Sequence, residues 1–482
     1  MVSTCAPAGA TCVDPYCAVG YANCDKASAD CEASFGSTGA SCAPRYLGTT
    51  VSPVHLDTDL RIAVATDGAT FMAGAFGGTV DLDPGAGMDI RTPMHGPGAD
   101  IFVTKLNADG TYAWTRVLGG VGDEAVSGVA VNADGSVLLL GTATGNVDLD
   151  PNAAMAMGST TGRTPFVVKL DPSGRFVWQR RLNNTSGSDD VFTGRMLLDS
   201  SGAIIATGYF QNATLDFDPG PGTHARTVRD VTTTFLLKLT SGGDFTWVGF
   251  LEGQGCYVTG LASALDGAIW AVGDIAGVCD LDPSYIIDRR STARADRQGA
   301  FVLKLGADGG AQGAWVLGTG EFVSAYTVAS VQDGGAIVGG TFSGSVDFDT
   351  GAGTALRSTS PFSGFLLRLA QDGSFRWVEQ LTGSNVVAAG PVTGGVVALT
   401  LAGYPLPAGS VTTTFVTAFD TNRTPLWTIP IGPLSSYGRT LSVGPLGFSV
   451  VGSVDEGAVD VDPGPAAEMV SARSTFVSRF GF

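Results

Sequence analysis

Paired aspartates are the side chains of this sequence with the clearest capacity for chemistry. They form an Asp-x-Asp element, usually followed by Pro, and the first five copies recur every 64 to 68 residues. The pairs are Asp81/Asp83, Asp148/Asp150, Asp216/Asp218, Asp280/Asp282, Asp347/Asp349 and Asp460/Asp462. Closely spaced carboxylates on a turn supply the oxygen ligands that Ca²⁺ prefers. These aspartates are therefore candidate calcium ligands.

A turn is the alternative role for the same aspartates. Pro-Gly favours a tight turn, where an Asp side chain accepts hydrogen bonds from neighbouring backbone N–H groups. Each copy also lacks the further acidic ligand that completes an EF-hand-like loop. We favour the turn, so no cofactor is firmly predicted, and calcium binding stays as the alternative.

A basic residue recurs at one position in the segment that follows each aspartate pair. The residues are Lys105, Lys169, Lys238, Lys304, Arg368 and Arg479. One copy of the repeat has Ala418 there and has also lost the aspartate pair. The joint loss predicts that the cation and an Asp of the pair form a partly buried ion pair, which fixes strand register more than it adds stability. A cation track for an anionic ligand is the alternative, and the net charge opposes it.

No residue is predicted to be catalytic or to bind an organic cofactor. The sequence contains neither a Gly-x-Ser-x-Gly elbow nor a P-loop. Its three histidines, His55, His95 and His224, lie far apart, which argues against a His-based metal cluster.

The cysteines predict disulfides. Six lie in the first 42 residues, a segment too short to form a core, where three disulfides of open connectivity are expected. They are Cys5, Cys12, Cys17, Cys24, Cys31 and Cys42. A zinc knuckle is the alternative, but the spacing and the absence of His oppose it. The other two, Cys256 and Cys279, lie almost symmetrically about the turn signal Asp266-Gly267, so we expect them to join across a hairpin.

Charge and hydropathy limit the partners and the compartment. The net charge of −18 argues against nucleic acid as a partner, because such binding requires a basic surface. No apolar stretch approaches the roughly 18 residues of a membrane span. Residues 1–10 have no basic and apolar export segment, so either a signal peptide has been removed or the chain is not exported, and the cysteines favour removal. Because disulfides form in oxidising compartments, we expect a secreted or cell-surface protein.

Internal repeats predict the fold that positions these residues. Each repeat contains four short segments with the pattern of strands: two flank a turn such as Asp134-Gly135, the third carries the basic residue, and the fourth usually carries a Trp. Four strands per repeat at this period are typical of a β-propeller blade. We count seven repeats, of which the sixth is degenerate.

The two ends of the chain predict how the ring closes. The seventh repeat stops after its third strand, and residues 45–51 precede the first strand of the first repeat. A strand there would complete the last blade and leave no open sheet edge. The expected fold is all-β: a seven-bladed propeller over residues 45–482, preceded by a disulfide-rich module over residues 1–44.

The motifs resemble those of a known family. The elements Val-Asp-Leu-Asp-Pro-Gly, Phe-Val-x-Lys-Leu and Asp-x-x-Gly-x-x-x-Trp are similar to the seven-bladed β-propeller repeats of bacterial secreted and surface proteins. The segment from Cys17 to Glu32 resembles the small Cys-rich segments of bacterial surface proteins. Segments such as Asp171–Trp178 also resemble the Asp-box turns of sialidase-type propellers, in which the Trp packs between blades. The resemblance implies fold and location more than activity.

Two hypotheses for function follow. The favoured one is an exported, non-enzymatic binding or scaffold propeller whose Asp-rich loop rim contacts a protein or a glycan, since loops on a rigid scaffold carry recognition. The alternative is an extracellular enzyme, a glycoside hydrolase or polysaccharide lyase, that uses carboxylates as acid and base. Two carboxylates in one place, one of them with a raised pKa, would favour the enzyme.

Overall fold

The computed structural model describes most of the chain from residue 44 onward. The described residues are 44–52, 60–85, 87–94, 98–151, 157–159, 162–253, 255–284, 288–291, 298–318, 322–392, 394–402, 412–434, 440–454, 458–460, 469–471 and 474–481. The six N-terminal cysteines, His55, His95 and Asp462 lie outside them, as does the side chain of Asp460.

The described residues form strands and no helix, so they contain no helix that could span a membrane. The first thirteen strands are β1 (Arg45–Ser52), β2 (Arg61–Val64), β3 (Thr70–Phe76), β4 (Val80–Asp81), β5 (Ile90–Arg91), β6 (Asp100–Leu106), β7 (Tyr112–Gly120), β8 (Glu124–Val131), β9 (Val137–Ala143), β10 (Asn146–Asp148), β11 (Met157–Ser159), β12 (Thr164–Leu170) and β13 (Phe176–Arg181). The next thirteen are β14 (Asn183–Asn184), β15 (Val191–Leu198), β16 (Ile204–Phe210), β17 (Ala213–Asp216), β18 (Ala225–Val228), β19 (Thr233–Leu239), β20 (Phe245–Gly253), β21 (Tyr257–Ser263), β22 (Ile269–Ala276), β23 (Val278–Asp280), β24 (Arg289–Ser291), β25 (Gln298–Leu305) and β26 (Ala311–Leu317). The remaining strands are β27 (Val323–Ser330), β28 (Ala336–Asp347), β29 (Leu356–Leu369), β30 (Phe375–Thr382), β31 (Ser384–Val392), β32 (Gly395–Ala402), β33 (Thr412–Asp420), β34 (Pro425–Leu434), β35 (Thr440–Gly444), β36 (Gly447–Val454), β37 (Ala458–Asp460), β38 (Met469–Ser471) and β39 (Ser474–Gly481).

Most strands belong to four-stranded antiparallel units, here numbered in chain order. Unit 1 is β2-β3-β6-β7, unit 2 is β8-β9-β12-β13, unit 3 is β15-β16-β19-β20, unit 4 is β21-β22-β25-β26, unit 5 is β27-β28-β29-β30, unit 6 is β31-β32-β33-β34 and unit 7 is β35-β36-β39-β1. The first strand of each unit packs against the first strand of the next, and β35 of unit 7 packs against β2 of unit 1. The chain is therefore an all-β propeller.

The number of sheets differs from the seven blades that the repeats predict. The described residues form eight sheets of three or more strands, together with two ribbons of two strands. The additional sheet is β14-β17-β18. Strand β14 lies in the link after unit 2, and β17 and β18 lie in the connection between the second and third strands of unit 3. Similar connections extend two other units: β10 pairs with β7, and β23 pairs with β20. Repeat counting did not anticipate these strands, because they lie in the variable part of each repeat.

The N-terminal strand closes the ring as the sequence predicts. β1 pairs antiparallel with β39, with Arg45 opposite Gly481 and Ser52 opposite Thr475. Tyr46 also packs its ring against Phe480 at 5.5 Å between ring centroids. Without β1, the last strand of the chain would present an unpaired edge.

A Gly–Phe pair recurs inside the units and explains part of the repeat. The Gly of the second strand lies directly opposite a Phe of the third strand, as Gly208 does opposite Phe235 and Gly273 opposite Phe301. A Cβ on Gly208 would come within 2.4 Å of the Phe235 ring, and one on Gly273 within 2.6 Å of the Phe301 ring. The ring therefore needs the space that glycine leaves. Both Phe side chains are buried in the clusters between units.

The units present two different ends of their strands. We call the side with the short hairpin turns the turn face, and the side with the long second-to-third-strand connections and the links between units the loop face. First strands begin, and second strands end, at the loop face. Residues at these positions, such as Tyr257 and Asp274, are therefore placed where loops meet the ring.

Candidate functional site

The first aspartate of each described Asp-x-Asp pair uses its carboxylate to close a loop on the loop face. Asp216 Oδ1 accepts the backbone N–H of Asp218 at 3.1 Å and that of His224 at 2.7 Å. The equivalent bonds form around Asp81, Asp280 and Asp347. In unit 2, Asp148 likewise accepts the N–H of Asp150. These bonds match the turn role of the aspartates.

The second aspartate of the pair closes a tighter turn within the same loop. Its Oδ1 accepts the N–H of the residue two positions further on, in the pairs Asp83–Gly85 at 2.7 Å, Asp218–Gly220 at 2.8 Å, Asp282–Ser284 at 2.9 Å and Asp349–Gly351 at 2.8 Å. Each of these carboxylates therefore has a backbone partner in its own turn, which is the role that the sequence favoured over calcium.

Metal ligands are not brought together in the described part of the chain. No group of three or more His, Cys, Asp or Glu side chains there could hold a metal ion. His224, the one histidine among the described residues, stacks on Phe245 at 4.9 Å. A convergence of carboxylates on calcium, the alternative to the turn, is thus not found for the described aspartates, namely Asp81, Asp83, Asp148, Asp150, Asp216, Asp218, Asp280, Asp282, Asp347 and Asp349. The Asp460 side chain and Asp462 lie outside the described residues.

The recurring cations lie at the turn face, so the predicted pairing with the Asp-x-Asp carboxylates is wrong. Their acidic partners lie in the hairpin between the first and second strands of the same unit. Lys238 pairs with Asp199 at 2.9 Å, Lys169 approaches Asp134 at 4.0 Å, and Arg368 pairs with Asp333. The third strand runs beside the second, so its last residues reach the turn face and not the loops.

The same cations also join neighbouring units. Lys105, Lys238, Lys304 and Arg479 each donate to a backbone carbonyl in the third-to-fourth-strand turn of the following unit. The acceptors are Pro172, Ala307, Gln371 and Ala108 respectively. Because Ala108 belongs to unit 1, the bond from Arg479 crosses the junction at which the ring closes.

The Trp residues of the fourth strands pack between units, as their resemblance to Asp-box turns implies. Trp114 Nε1 donates to Pro172 O, and Trp247 Nε1 donates to Ala307 O. These are the same two carbonyls to which Lys105 and Lys238 donate. Gly174 and Gly309 in those turns adopt φ of +78° and +85°, and an added Cβ would meet Trp114 and Trp247. These Trp rings are therefore structural.

Cys256 and Cys279 form a disulfide, as predicted, with 6.1 Å between their Cα atoms. They are not partners within one hairpin, however. Cys256 precedes β21, while β22 ends at Ala276 and Cys279 lies in β23, opposite Gly253 of unit 3. The disulfide therefore connects the start of unit 4 to a strand that pairs with unit 3.

A row of aromatic side chains crosses the loop face from unit 2 to unit 4. The guanidinium of Arg163 lies 4.6 Å from the centroid of Phe192, which stacks on Tyr209 at 4.9 Å. Tyr209 in turn meets the edge of Tyr257 at 5.0 Å. We call these four residues the aromatic row. Since Tyr257 is 37% exposed, the row ends at a ring that solvent can reach.

A pocket lies beneath the two tyrosines, between units 3 and 4. Its volume is about 270 Å³, and its walls include Tyr209, Tyr257 and Val258 with the hydroxyl-bearing Thr207 and Thr234. Two glycines, Gly194 and Gly208, leave room for it on the unit 3 side. Aromatic walls with a few hydroxyl groups are typical of small-molecule and carbohydrate-sized sites.

A carboxyl with a perturbed pKa lies next to this row. Asp274 is directly opposite Tyr257 in the β21–β22 register. Burial raises the pKa of Asp274 to about 6, against hydrogen bonds from Ser324, Gln298 and the Ala325 N–H that lower it. Ser324 Oγ donates to Asp274 Oδ1 at 2.7 Å from unit 5, and Gln298 Nε2 donates to Ser324 Oγ at 3.4 Å. A carboxyl of this kind can exchange a proton near neutral pH.

Sequence reasoning missed Tyr209 and Asp274, although the repeats contain the signal. Both directly follow the Gly that recurs in the second strand, where units 1, 2 and 5 have Ala75, Thr142 and Thr341. The surrounding positions are copied from unit to unit, whereas this one changes. A repeat motif is defined by the positions that the copies share, so it leaves out the position at which they differ.

A second pair of carboxylates lies buried at the junction of units 1 and 2. Asp100 is 0% exposed and Glu124 is 2% exposed. Burial, and then the charges of Asp100 and Asp123, raise the pKa of Glu124 to about 8, against the N–H of Gly120, which lowers it. Glu124 Oε2 accepts that N–H at 3.0 Å, but Oε1 has no partner among the described residues. Because this pair lacks solvent access, we assign it no part in binding a substrate.

Comparison with known proteins gives structural neighbours only. No protein-family model and no curated protein matches the chain. Among solved structures, cobalt-substituted Synechocystis apocarotenoid oxygenase matches with a TM-score of 0.33 and 10% identity, over 80% of this chain and 94% of that one. A chimera of apocarotenoid oxygenase and RPE65 matches with the same TM-score, identity and coverage.

These neighbours correct the expectations about function and cofactor. Both are structures of an oxygenase, and one contains a metal, whereas the sequence predicted a non-enzymatic scaffold with no firm cofactor or with calcium. The comparison contradicts those predictions, and we do not retain them. At 10% identity and a TM-score of 0.33, the likeness assigns neither an activity nor a metal to this chain.

Proposed function

We propose that this protein is an exported β-propeller enzyme that carries out acid–base chemistry on a glycan. The site is on the loop face at units 3 and 4, with Asp274 as the proton-transferring group and Tyr209 and Tyr257 as the surface that holds a sugar ring. The enzyme class is the one that acts on extracellular polysaccharides by cleaving a glycosidic bond.

The position of Asp274 is the observation that carries this proposal. It is the one acidic residue at a position where units 1, 2, 3 and 5 have Ala, Thr, Tyr and Thr. A structural role common to all blades would be copied from unit to unit, as the Asp-x-Asp loops are. A carboxyl that occurs once, with a raised pKa and directly opposite a tyrosine of the pocket wall, is instead typical of a functional group.

The chemistry follows from the proton that Asp274 retains. A carboxyl with a pKa of about 6 stays protonated up to mildly acidic pH. It can therefore protonate the oxygen that leaves when a glycosidic bond breaks, while a water molecule adds to the anomeric carbon and releases its proton to solvent. Ser324 holds the side chain through a 2.7 Å hydrogen bond and so limits its orientations. The faces of Tyr209 and Tyr257 offer apolar area with a hydroxyl at the rim, which suits a sugar ring with its alternating C–H and O–H groups.

The finer architecture is part of the same proposal. We take the seven four-stranded units as the blades of the propeller, and β14-β17-β18 as an outer sheet built from connections between them. Residues 1–44 would form a disulfide-rich module that serves as an anchor or spacer at the cell surface. The Cys256–Cys279 disulfide supports an oxidising compartment.

Replacing Asp274 with Asn tests the site. The amide keeps the size of the side chain and can still accept the Ser324 hydrogen bond, but it has no proton to transfer. We expect turnover of a susceptible polysaccharide to fall at least a hundredfold, the lower end of the roughly 10²–10⁴-fold contribution of a general acid. Release of reducing ends from a panel of plant, algal and bacterial polysaccharides measures it, and thermal unfolding checks the fold.

Asp308→Asn is the matched control, since Asp308 is an exposed carboxylate of a turn-face loop. It should leave turnover unchanged. If the Asp274→Asn variant cleaves a polysaccharide as fast as the parent does, the proposed role of this carboxyl is refuted. The parent's activity should also decline as pH rises through the pKa of about 6, because the proton needed for the reaction is lost.

A further inference from the structure

We infer that the substrate of this site is an acidic glycan, and that Arg163 binds the carboxylate of one of its uronic acid residues. The inference rests on the proposed function, because it names the substrate class of the same site. It places the acidic sugar at the Arg163 end of the aromatic row and the reacting bond towards Tyr257 and Asp274.

The first observation is that the charge of Arg163 is not used in the fold. Among the described residues, no carboxylate lies within ion-pair distance of its guanidinium. Other arginines have structural partners: Arg116 and Arg180 donate to backbone carbonyls of the next unit, and Arg226 pairs with Glu252. Arg163 is half-buried, and its guanidinium lies over the face of Phe192. A charge without an ion-pair partner at the end of the aromatic row is available to a ligand.

The backbone of Arg163 is held in place although its charge is not paired. Its N–H donates to Asp189 Oδ1 at 3.0 Å, and its carbonyl accepts the Asn184 amide at 2.9 Å. Stacking on Phe192 then restricts the side chain, so a ligand meets a guanidinium whose position is largely set. Such preorganisation lowers the entropy cost of binding. A planar guanidinium on a fixed stem is suited to bidentate recognition of a carboxylate.

The second observation connects Arg163 to the sugar-binding surface. Burial and the neighbouring Tyr257 raise the pKa of Tyr209, while the positive charge of Arg163 opposes that rise. The guanidinium is therefore close enough to act on the Tyr209 hydroxyl. Phe192 lies between the two, with the guanidinium 4.6 Å from its ring centroid and with Tyr209 stacked on it at 4.9 Å. The cation and the aromatic faces thus adjoin at this end of the row.

The net charge of −18 does not exclude an anionic substrate here. At physiological ionic strength the field of exposed charges is screened over about 8 Å. Asp189 is the acidic residue known to be close, and its Oδ1 is occupied by the Arg163 N–H and not by the guanidinium. Charges more than about 8 Å away are therefore largely screened, whereas the guanidinium of Arg163 would contact the carboxylate directly.

Calorimetric titration with two trisaccharides tests the inference. The probes are trigalacturonate, which has three carboxylates, and the neutral trimer of galactose, measured on the full chain at the same ionic strength. We expect the parent to bind the acidic trimer about tenfold or more tightly, as one charge-assisted hydrogen-bonded pair implies. Arg163→Gln should remove that preference, so that the two trimers bind with equal affinity, whereas Arg163→Lys should retain part of it.

Arg175→Gln is the control, since it removes an exposed arginine on the turn face and should preserve the preference. Equal affinities of the parent for the two trimers would overturn the acidic substrate and leave the proposed enzyme standing. A preference that survives Arg163→Gln would overturn the role of this residue. Failure of the parent to bind either trimer, together with failure to act on any polysaccharide, would count against the proposed function itself.

Discussion

A Glu124→Gln variant should be more stable than the parent at alkaline pH and equally stable near pH 4.5. In the folded chain the pKa of Glu124 is about 8, because burial and then the charge of Asp100 disfavour its ionised form, whereas its model value is 4.5. Between pH 4.5 and about pH 8, the folded state therefore binds more protons than the unfolded state. Stability falls as pH rises through this window, since deprotonation is easier in the unfolded chain.

The size of this effect follows from the burial of the pair. Each pKa unit corresponds to about 1.4 kcal/mol, so the parent should lose a few kcal/mol of unfolding free energy between about pH 5 and pH 8. The glutamine side chain cannot ionise, so the variant should lack this component of the loss. Denaturant unfolding at pH 5, 7 and 9 measures it.

The control for this prediction is Glu252→Gln, an exposed glutamate that pairs with Arg226 at the surface. Exposed ion pairs contribute about 0–1 kcal/mol, so the slope of stability against pH should stay close to that of the parent. A Glu124→Gln variant that is less stable than the parent at pH 9 would show that the ionised Glu124 has a stabilising partner. Burial of an unpaired carboxylate would then be the wrong description.

A Lys238→Met variant should lose about 3–5 kcal/mol of unfolding free energy, the usual cost of leaving one partner of a buried ion pair alone. Lys238 and Asp199 lie 2.9 Å apart, and their side chains are only 11% and 7% exposed. Burial alone would raise the pKa of Asp199, but hydrogen bonds from Ser201, from Lys238 and from backbone N–H groups outweigh it and lower the pKa. The substitution also removes the bond to Ala307 O of the next unit.

Lys105→Met is the matched control, because it changes the equivalent residue of unit 1. Lys105 donates to Pro172 O at a long 3.4 Å, and its ammonium lies over the Phe71 ring. Its loss should cost about 1 kcal/mol, as for an ordinary hydrogen bond. Adding Asp199→Asn to Lys238→Met should recover much of the larger loss, since the stranded charge is then gone. Equal effects of the two single lysine variants would contradict the buried ion pair.

Much of the fold could be predicted because the repeats encode it locally. Hairpin signals such as Asp134-Gly135 fix where strands turn. The last repeat contains only three strands, so its fourth strand must come from elsewhere in the chain, and β1 provides it. The outer sheet β14-β17-β18 was not predictable in this way. Its strands are two to four residues long and lie in connections whose sequences differ between units.

The partners of the recurring cations could not be inferred from their joint loss with the Asp-x-Asp pair. Both features are absent from unit 6, yet in other units they lie at opposite ends of the strands, Lys238 at the turn face and Asp216 at the loop face. Sequence co-occurrence shows that unit 6 has diverged and says nothing about contact. The register of the third strand against the second was the missing information, because it places Lys238 beside the first hairpin.

The candidate site was invisible to motif searching because it has no motif. Arg163, Phe192, Tyr209, Tyr257 and Asp274 come from units 2, 3 and 4, and propeller closure alone brings them to neighbouring positions on the loop face. Burial of Asp274 and its contact with Ser324 are likewise properties of the interface between units 4 and 5. Alignment of the repeats, read for differences, would have pointed to Tyr209 and Asp274 but not to their arrangement.

A crystal structure of the Asp274→Asn variant with a bound oligosaccharide would test the proposed site most directly. The variant should trap the substrate uncleaved. We expect a sugar ring against Tyr257 and Tyr209, and a glycosidic oxygen within hydrogen-bond reach of residue 274, at roughly 2.6–3.2 Å. An oligosaccharide bound elsewhere on the propeller, with Tyr257 and residue 274 free of contact, would contradict the account.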